Sequence, residues 1–401
     1  MSHPNEGLLA KAHRFFLYLG VLYGVCIVFL AIPWVQRHVS YQHKFGIPLF
    51  PVFETPERYG LSPAKTFNVN FQTPDNNTLG AWFVLSDPYY QQHSVSSTYS
   101  QTNQSIYDAL RTQKTVLYFH GTAGTRAAAP RVRTVAAITS RLQANVFVVD
   151  YRGFGDSTGY PSERGIEIDA MASWNWLLDH GAQPEDILIW GHSLGTGIAS
   201  KLAQQLALQG TKPRGVALLA PFTSFSVVIE DYPIFGFPLL RPIQSFPIGR
   251  KLIKRLLLEK YDTLSIIQEL NVPVLLAHST NDFDIPHYHS KTLMDQLLDP
   301  HLPPSVALPD SPGSTISEEE YNAYIDGVKK RKEARSLLVR KTEIPEFGVV
   351  EEFQSPHGKV VYIETMWGGH NHVGSQEGVQ NEIGKMFKLG LWSDPRTVNV
   401  D

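Results

Sequence analysis

An α/β fold, with a mostly parallel central sheet and helices on both faces, is predicted by three observations on this 401-residue chain. Short apolar runs alternate with helix-compatible stretches from residue 115 onward. The runs are near-continuously apolar, as in Val274-Leu275-Leu276, which suits strands covered on both faces. One of them, DILIW, runs straight into a glycine-flanked turn and then a helical pattern, as crossover units require. Two additions are expected, a cap insertion over one end of the sheet and an N-terminal transmembrane helix.

Composition narrows the function. With 35 Lys+Arg against 38 Asp+Glu, the formal charge is −3, which excludes generic nucleic-acid binding because no positive excess exists to displace phosphate counterions. Charged residues make up 18%, below the roughly 25% of soluble domains, so much of the chain is available for a core or for lipid. Cys26 is the single cysteine, so neither an intrachain disulfide nor a CxxC site is available.

The first element is the apolar run Phe15 to Val35, FFLYLGVLYGVCIVFLAIPWV, 21 residues without a charge. Its length matches a hydrocarbon core of about 30 Å. The apolar region exceeds the roughly 7 to 15 residues of a cleaved signal, so it is read as an uncleaved anchor between a tail (1–14) and a linker (36–65). Lys11 and Arg14 on one side balance Arg37 and Lys44 on the other, and orientation is left open by charge. Sequons at Asn76-Asn77-Thr78 and Asn103-Gln104-Ser105 tilt it toward a lumenal body.

A body over 66–392 follows. TFNVNF (66–71) and LGAWFVL (79–85), separated by Pro74-Asp75-Asn76-Asn77, predict an antiparallel hairpin. The polar stretch 91–113 reads as a surface loop. Strands are then predicted at 115–119, 146–150, 186–190, 215–219, 273–278 and 359–365, with helices near 131–143, 165–179, 195–208 and 287–298. Residues 222–268, crowded with Phe222, Phe225, Tyr232, Phe235, Phe237 and Phe246, predict the cap. Residues 300–354 are Pro-rich, then highly charged, with Ser317 and Glu320 as a capping box, and read as a solvated insertion. Residues 393–401 form a tail.

The chemistry concentrates in a few strand ends. Gly191-His192-Ser193-Leu194-Gly195 follows DILIW and satisfies G-x-S-x-G, whose glycines let a strand turn sharply into a helix with the serine at the apex. A serine hydroxyl is a weak nucleophile, so a histidine must take its proton and an acid must orient that histidine. After VPVLLAH, Asp282 is assigned as the acid, with Asp284 as the alternative. After the last strand, His370 in Gly368-Gly369-His370-Asn371-His372 is assigned as the base, with His372 as competitor. Two N–H donors for a developing oxyanion are assigned to Leu194, after the nucleophile, and Thr122, in the glycine-rich turn after TVLYF. His287-Tyr288-His289 lacks a nearby third ligand and is read as surface histidines, so no metal and no cofactor are expected.

HGTAGTR (120–126), DYRGFGDSTG (150–159), PSERG (161–165), WGHSLGTG (190–197) and LLAHSTNDFDIP (275–286) together resemble the α/β-hydrolase superfamily. More narrowly, the chain resembles its membrane-anchored monoacylglycerol and lysophosphatidylserine lipases, the abhydrolase-domain group. The likeness runs over 66–298, resumes at 359–390 and includes the N-terminal span. It implies Ser193, Asp282 and His370 as nucleophile, acid and base, Thr122 and Leu194 as oxyanion donors, and a catalytic body in the endoplasmic reticulum lumen. The implied partners are the bilayer and a lipid ester substrate, with no nucleic acid. The chain departs from the family in the separation of 88 positions from Asp282 to His370 and in its cap. A thioesterase, a peptidase, or a lipid-binding scaffold without turnover are the alternatives on the same fold.

Overall fold

The computed structural model describes residues 8–94, 103–231, 239–306 and 316–393. Among the described residues, ten strands form one sheet: β1 (Thr66–Gln72), β2 (Thr78–Val84), β3 (Thr115–Phe119), β4 (Asn145–Val149), β5 (Ile187–His192), β6 (Gly215–Leu219), β7 (Val274–Ser279), β8 (Arg340–Ile344), β9 (Gly348–Ser355) and β10 (Gly358–Thr365). Their spatial order is β1-β2-β4-β3-β5-β6-β7-β10-β9-β8. The six strands from β4 to β10 run parallel, and antiparallel hairpins close both edges. This is the expected α/β-hydrolase sheet with its opening hairpin.

Every residue of β3, β4 and β6 is buried, which is why these strands read as unbroken apolar runs. Each Val, Leu or Phe removed from water contributes about 1.5–3 kcal/mol, so the parallel centre is the stiff platform from which the site projects. The crossover helices Ala129–Arg141, Glu163–Asp179, Leu194–Leu208 and Tyr288–Leu298 cover both faces. Pairing of Phe119 with Gly191, His192 with Leu219 and Thr365 with Ser279 aligns the C-terminal ends of β3, β5, β6, β7 and β10 at one edge. Every site residue follows one of those ends.

Three expectations change. The polar stretch 91–113 is not a plain loop, because Asn103–Thr112 is a helix that buries Ile106, Ala109 and Leu110. Those residues lie at i, i+3 and i+4, a stripe too short to stand out among the surrounding Ser and Gln. The insertion 300–354 is only partly a solvated arm. Its helix Glu318–Leu338 has the capping box and no buried residue, but β8 and β9 after it extend the sheet, pairing β9 with β10. Edge strands with one wet face tolerate sequences such as RKTEI, which hid them. The insertion thus delivers the chain to β10 in register, which accounts for the long gap before His370.

The apolar N-terminal helix spans Leu8–Leu30 and breaks before Pro33, which starts a second helix, Pro33–Tyr41. Pro at the first helical position has no N–H to lose, and the residue before it is pushed out of the helical region. The span therefore ends about one turn before Val35. Of the predicted cap, the helices Phe225–Asp231, Arg241–Gln244 and Pro247–Leu256 are described, while Tyr232, Phe235 and Phe237 lie outside the described residues, as do the tail positions 1–7 and 394–401 and the side chain of the sequon residue Asn103.

Candidate active site

At the end of β5 the backbone of Ser193 adopts φ 54° and ψ −123°, a region that costs a side-chain-bearing residue about 1–3 kcal/mol. The neighbours make this turn possible. A Cβ on Gly191 would overlap the backbone of Gly195, and one on Gly195 would overlap the carbonyl of Phe119. Ser193 N–H donates to Leu219 O (3.0 Å), pinning the apex to β6.

Ser193 Oγ lies 2.8 Å from His370 Nε2, and His370 Nδ1 lies 2.8 Å from Asp282 Oδ2. Asp282 Oδ1 accepts the backbone N–H groups of Asp284 and Ile285, both at 2.9 Å. Burial alone would raise this carboxyl, but hydrogen bonds from His278 and His370 hold it well below the usual carboxylate range. Of the two acids considered, Asp282 faces His370, whereas Asp284 lines the adjoining cavity. Of the two histidines, His370 faces Ser193 and His372 is exposed.

Asp282, Asp284 and His370 also have potential ligand atoms within 4.8 Å of one another. Both ring nitrogens of His370 are already engaged, by Asp282 and Ser193. His289 is not the surface residue expected: it is fully buried, with Nδ1 2.9 Å from Thr223 Oγ1. His287 is half-exposed, 3.9 Å from Glu364.

Thr122 and Leu194 both line the cavity above Ser193, and among the described residues neither backbone N–H has a hydrogen-bond acceptor. The loop around Thr122 is held from two sides. Arg131, buried in the helix after it, donates to the carbonyls of Gly121 (2.9 Å), Thr122 (3.1 Å) and Ala123. From the other side, Ala123, Gly124 and Thr125 N–H groups donate to Tyr41, Phe45 and Ile47 carbonyls, and Thr122 Oγ1 donates to Ser40 O (2.7 Å) and Tyr41 O (3.0 Å).

Several supporting residues were not singled out from the sequence. Asp150, at the end of β4, accepts from His120 Nε2 (3.0 Å), Arg126 N–H (2.8 Å) and the Arg126 guanidinium (2.6 Å), which in turn pairs with Asp156. Burial works against this carboxylate, yet Arg126 and His120 keep it below its ordinary pKa. This network explains why HGTAGTR and DYRGFGDS occur together. His278 donates from Nε2 toward Asp282 Oδ2 (3.1 Å) and Ile285 O (2.9 Å), with its Nδ1 2.6 Å from Ser290 Oγ. His192 donates from Nε2 to the backbone carbonyl of His370 (2.7 Å), and desolvation plus the neighbouring His370 lower it to about 3, so it stays neutral. Only their placement beside the motif residues marked them.

A cavity of about 430 Å³ opens over Ser193, within the range of about 300–1,000 Å³ usual for small-molecule sites. Its walls are mostly apolar and include Phe222, Phe225, Ile253 and Leu256 from the cap region. Phe246, expected to help enclose a ligand, is instead 67% exposed.

Comparisons agree with this fold. A family model described as the alpha/beta hydrolase fold matches residues 114–239. Lysophosphatidylserine lipase ABHD12 of Danio rerio is 28% identical over 301 residues, covering 72% of this chain and 73% of the relative. The Mus musculus protein of the same name is 29% identical over 285 residues, covering 69% and 67%, and Protein ABHD12B of Homo sapiens is 35% identical over 183 residues, covering 45% and 49%. Among solved structures, an alpha-beta hydrolase from Vibrio vulnificus shares the fold, with a TM-score of 0.50 at 16% identity over 88% of this chain and 91% of that one. Fold, motif placement and relatives converge: the chain has the α/β-hydrolase fold, and over about 70% of its length it is similar to lipases of the abhydrolase-domain group.

Proposed function

We propose that this chain is a membrane-anchored serine hydrolase that cleaves carboxylic esters of lipids with one acyl chain, monoacylglycerols or lysophospholipids. The observation that carries this is the 2.8 Å approach of Ser193 Oγ to His370 Nε2 at the floor of a mostly apolar cavity. Relatives named lysophosphatidylserine lipases support the substrate class.

His370 Nε2 takes the Ser193 proton as Oγ attacks the ester carbonyl, and Asp282 stabilises the imidazolium that forms. The tetrahedral oxyanion is met by the N–H groups of Thr122 and Leu194. His370 then returns the proton to the leaving alcohol, and the acyl-enzyme is hydrolysed by water activated at the same histidine. Exposed Lys251, Lys254 and Arg255 lie on the cap helix that carries the cavity-lining Ile253 and Leu256, and their positive charge is suited to an anionic headgroup.

The apolar helix fits a single-pass anchor. A body in the endoplasmic reticulum lumen is supported by Asn76, the acceptor of the first sequon, being exposed; an endoglycosidase-sensitive mass that Asn76→Gln and Asn103→Gln remove together tests that side.

Intact mass after fluorophosphonate treatment tests the chemistry. One adduct on the wild-type chain that is absent from Ser193→Ala is expected; no adduct on folded wild type overturns it. A panel of defined lipid esters, thioesters and peptides then separates the ester hydrolase from thioesterase and peptidase, and lipid retention without turnover would mark a binding scaffold.

A further inference from the structure

The apolar anchor does more than lead to the body. Along Leu8–Leu30, Leu22, Val25, Val28 and Phe29 are exposed by 54–69%, whereas Tyr23, Cys26, Ile27 and Leu30 are half-buried. The half-buried set is spaced i, i+3, i+4, i+7, one helical face. That face meets the cap. Tyr23 Oη donates to Leu239 O (2.9 Å), and from the next helix, Pro33–Tyr41, Gln36 bridges Leu256 O (3.0 Å) and Leu258 N (3.1 Å) and Arg37 pairs with Glu259 (3.0 Å). These polar ties fix how the helix sits against the cap. Within the frame they make, Ile27, Leu30 and Ala31 line the same cavity that has Ser193 and His370 at its floor.

We propose that the last turn of the membrane-spanning helix is a specificity-determining wall of the acyl site: Ile27, Leu30 and Ala31 contact the acyl chain of a single-chain lipid ester whose carbonyl lies at Ser193. This rests on the serine-hydrolase function proposed above. An acyl chain enclosed by the anchor on one side and by Ile253 and Leu256 on the other passes from bilayer to catalytic serine without crossing water. Length discrimination then depends on side chains of the anchor, residues that a tether alone would leave free to vary.

The test uses the full chain in detergent–lipid micelles. Hydrolysis rates across monoacylglycerols of rising acyl length are compared for wild type, Ala31→Trp, Ile27→Ala and Leu22→Trp, the last on the lipid-facing side of the same helix. Ala31→Trp is expected to lower the long-chain to short-chain rate ratio at least about tenfold, the scale of a few lost methylene contacts, and Ile27→Ala to shift the optimum to longer chains. Leu22→Trp is expected to leave the profile where it is. Superimposable profiles for wild type, Ala31→Trp and Ile27→Ala overturn the proposal, while fluorophosphonate labelling of wild-type Ser193 reports separately on the hydrolase function.

A readout independent of turnover uses Ser193→Ala with a monoacylglycerol carrying a diazirine in its chain. Crosslinks at residues 27–31 that unlabelled monoacylglycerol displaces support the wall. Crosslinks spread evenly over the helix and not displaced overturn it, whether or not the wild-type protein turns over.

Discussion

His192 and His370 are joined by a hydrogen bond from the His192 ring to the His370 backbone carbonyl, 2.7 Å long. The residue before Ser193 thereby holds the histidine that faces that serine. Because a carbonyl only accepts, His192 Nε2 carries the proton, and the lowered pKa of about 3 keeps the second nitrogen unprotonated.

Removing that bond is expected to lower kcat about tenfold to a hundredfold in His192→Phe, since a misplacement of about 1 Å costs on that order. His192→Gln, which retains a donor, is expected to recover part of the loss. KM changes little in both, and steady-state kinetics of the two variants side by side check this.

Asp282→Asn is expected to lower kcat about 10⁴-fold by leaving His370 in the wrong tautomer, and Ser193→Ala by at least as much. The double variant is expected to be no worse than Ser193→Ala alone, because the residues act as one unit. An additive loss in the double variant would contradict a shared proton path.

Thr122→Val removes the hydroxyl that ties the loop to Ser40 and Tyr41 while keeping its β-branched shape. A loosened oxyanion donor is felt in the transition state, so kcat is expected to fall about tenfold with thermal stability changed by no more than about 1.5 kcal/mol, the size of one net hydrogen bond. A loss confined to KM would separate Thr122 from the oxyanion.

His43 is 4% exposed, both of its ring nitrogens lack a hydrogen-bond partner among the described residues, and burial together with the nearby His38 and Lys44 lowers it to about 4. The unfolded chain binds this proton near pH 6.5, so between about 6.5 and 4 the unfolded state holds more protons. Stability is full above pH 6.5 and declines as pH falls toward 4. His43→Phe is expected to flatten that decline by on the order of 2 kcal/mol, read as denaturant midpoints at pH 7 and pH 4.5. Equal slopes for wild type and variant would remove His43 as the source.

Much of this was legible in the chain. Alternating apolar runs located the two opening strands and the six parallel ones, because burial on both faces leaves an unbroken apolar signature. The glycines around Ser193 marked the elbow, because only residues without a side chain fit where Gly191 passes Gly195 and Gly195 passes Phe119. β8 and β9 were not legible, since half-wet edge strands accept charges that blur the period of two.

What the sequence by itself determined was local: which segments form strands, where the elbow turns, where the candidate serine, acids and histidines sit, and which run is long and apolar enough to fit a membrane span. Only tertiary structure sets Asp282 rather than Asp284 beside His370, and His370 rather than His372 beside Ser193, because each pair is equivalent in local pattern and differs only in which side chain reaches across β5, β7 and β10. It alone brought Ser40–Ile47 against the loop of Thr122, and the apolar helix and the helix after it against the cap. These contacts join residues about 80 and 220 positions apart, a separation that no local period encodes and that packing of the apolar surfaces brings together.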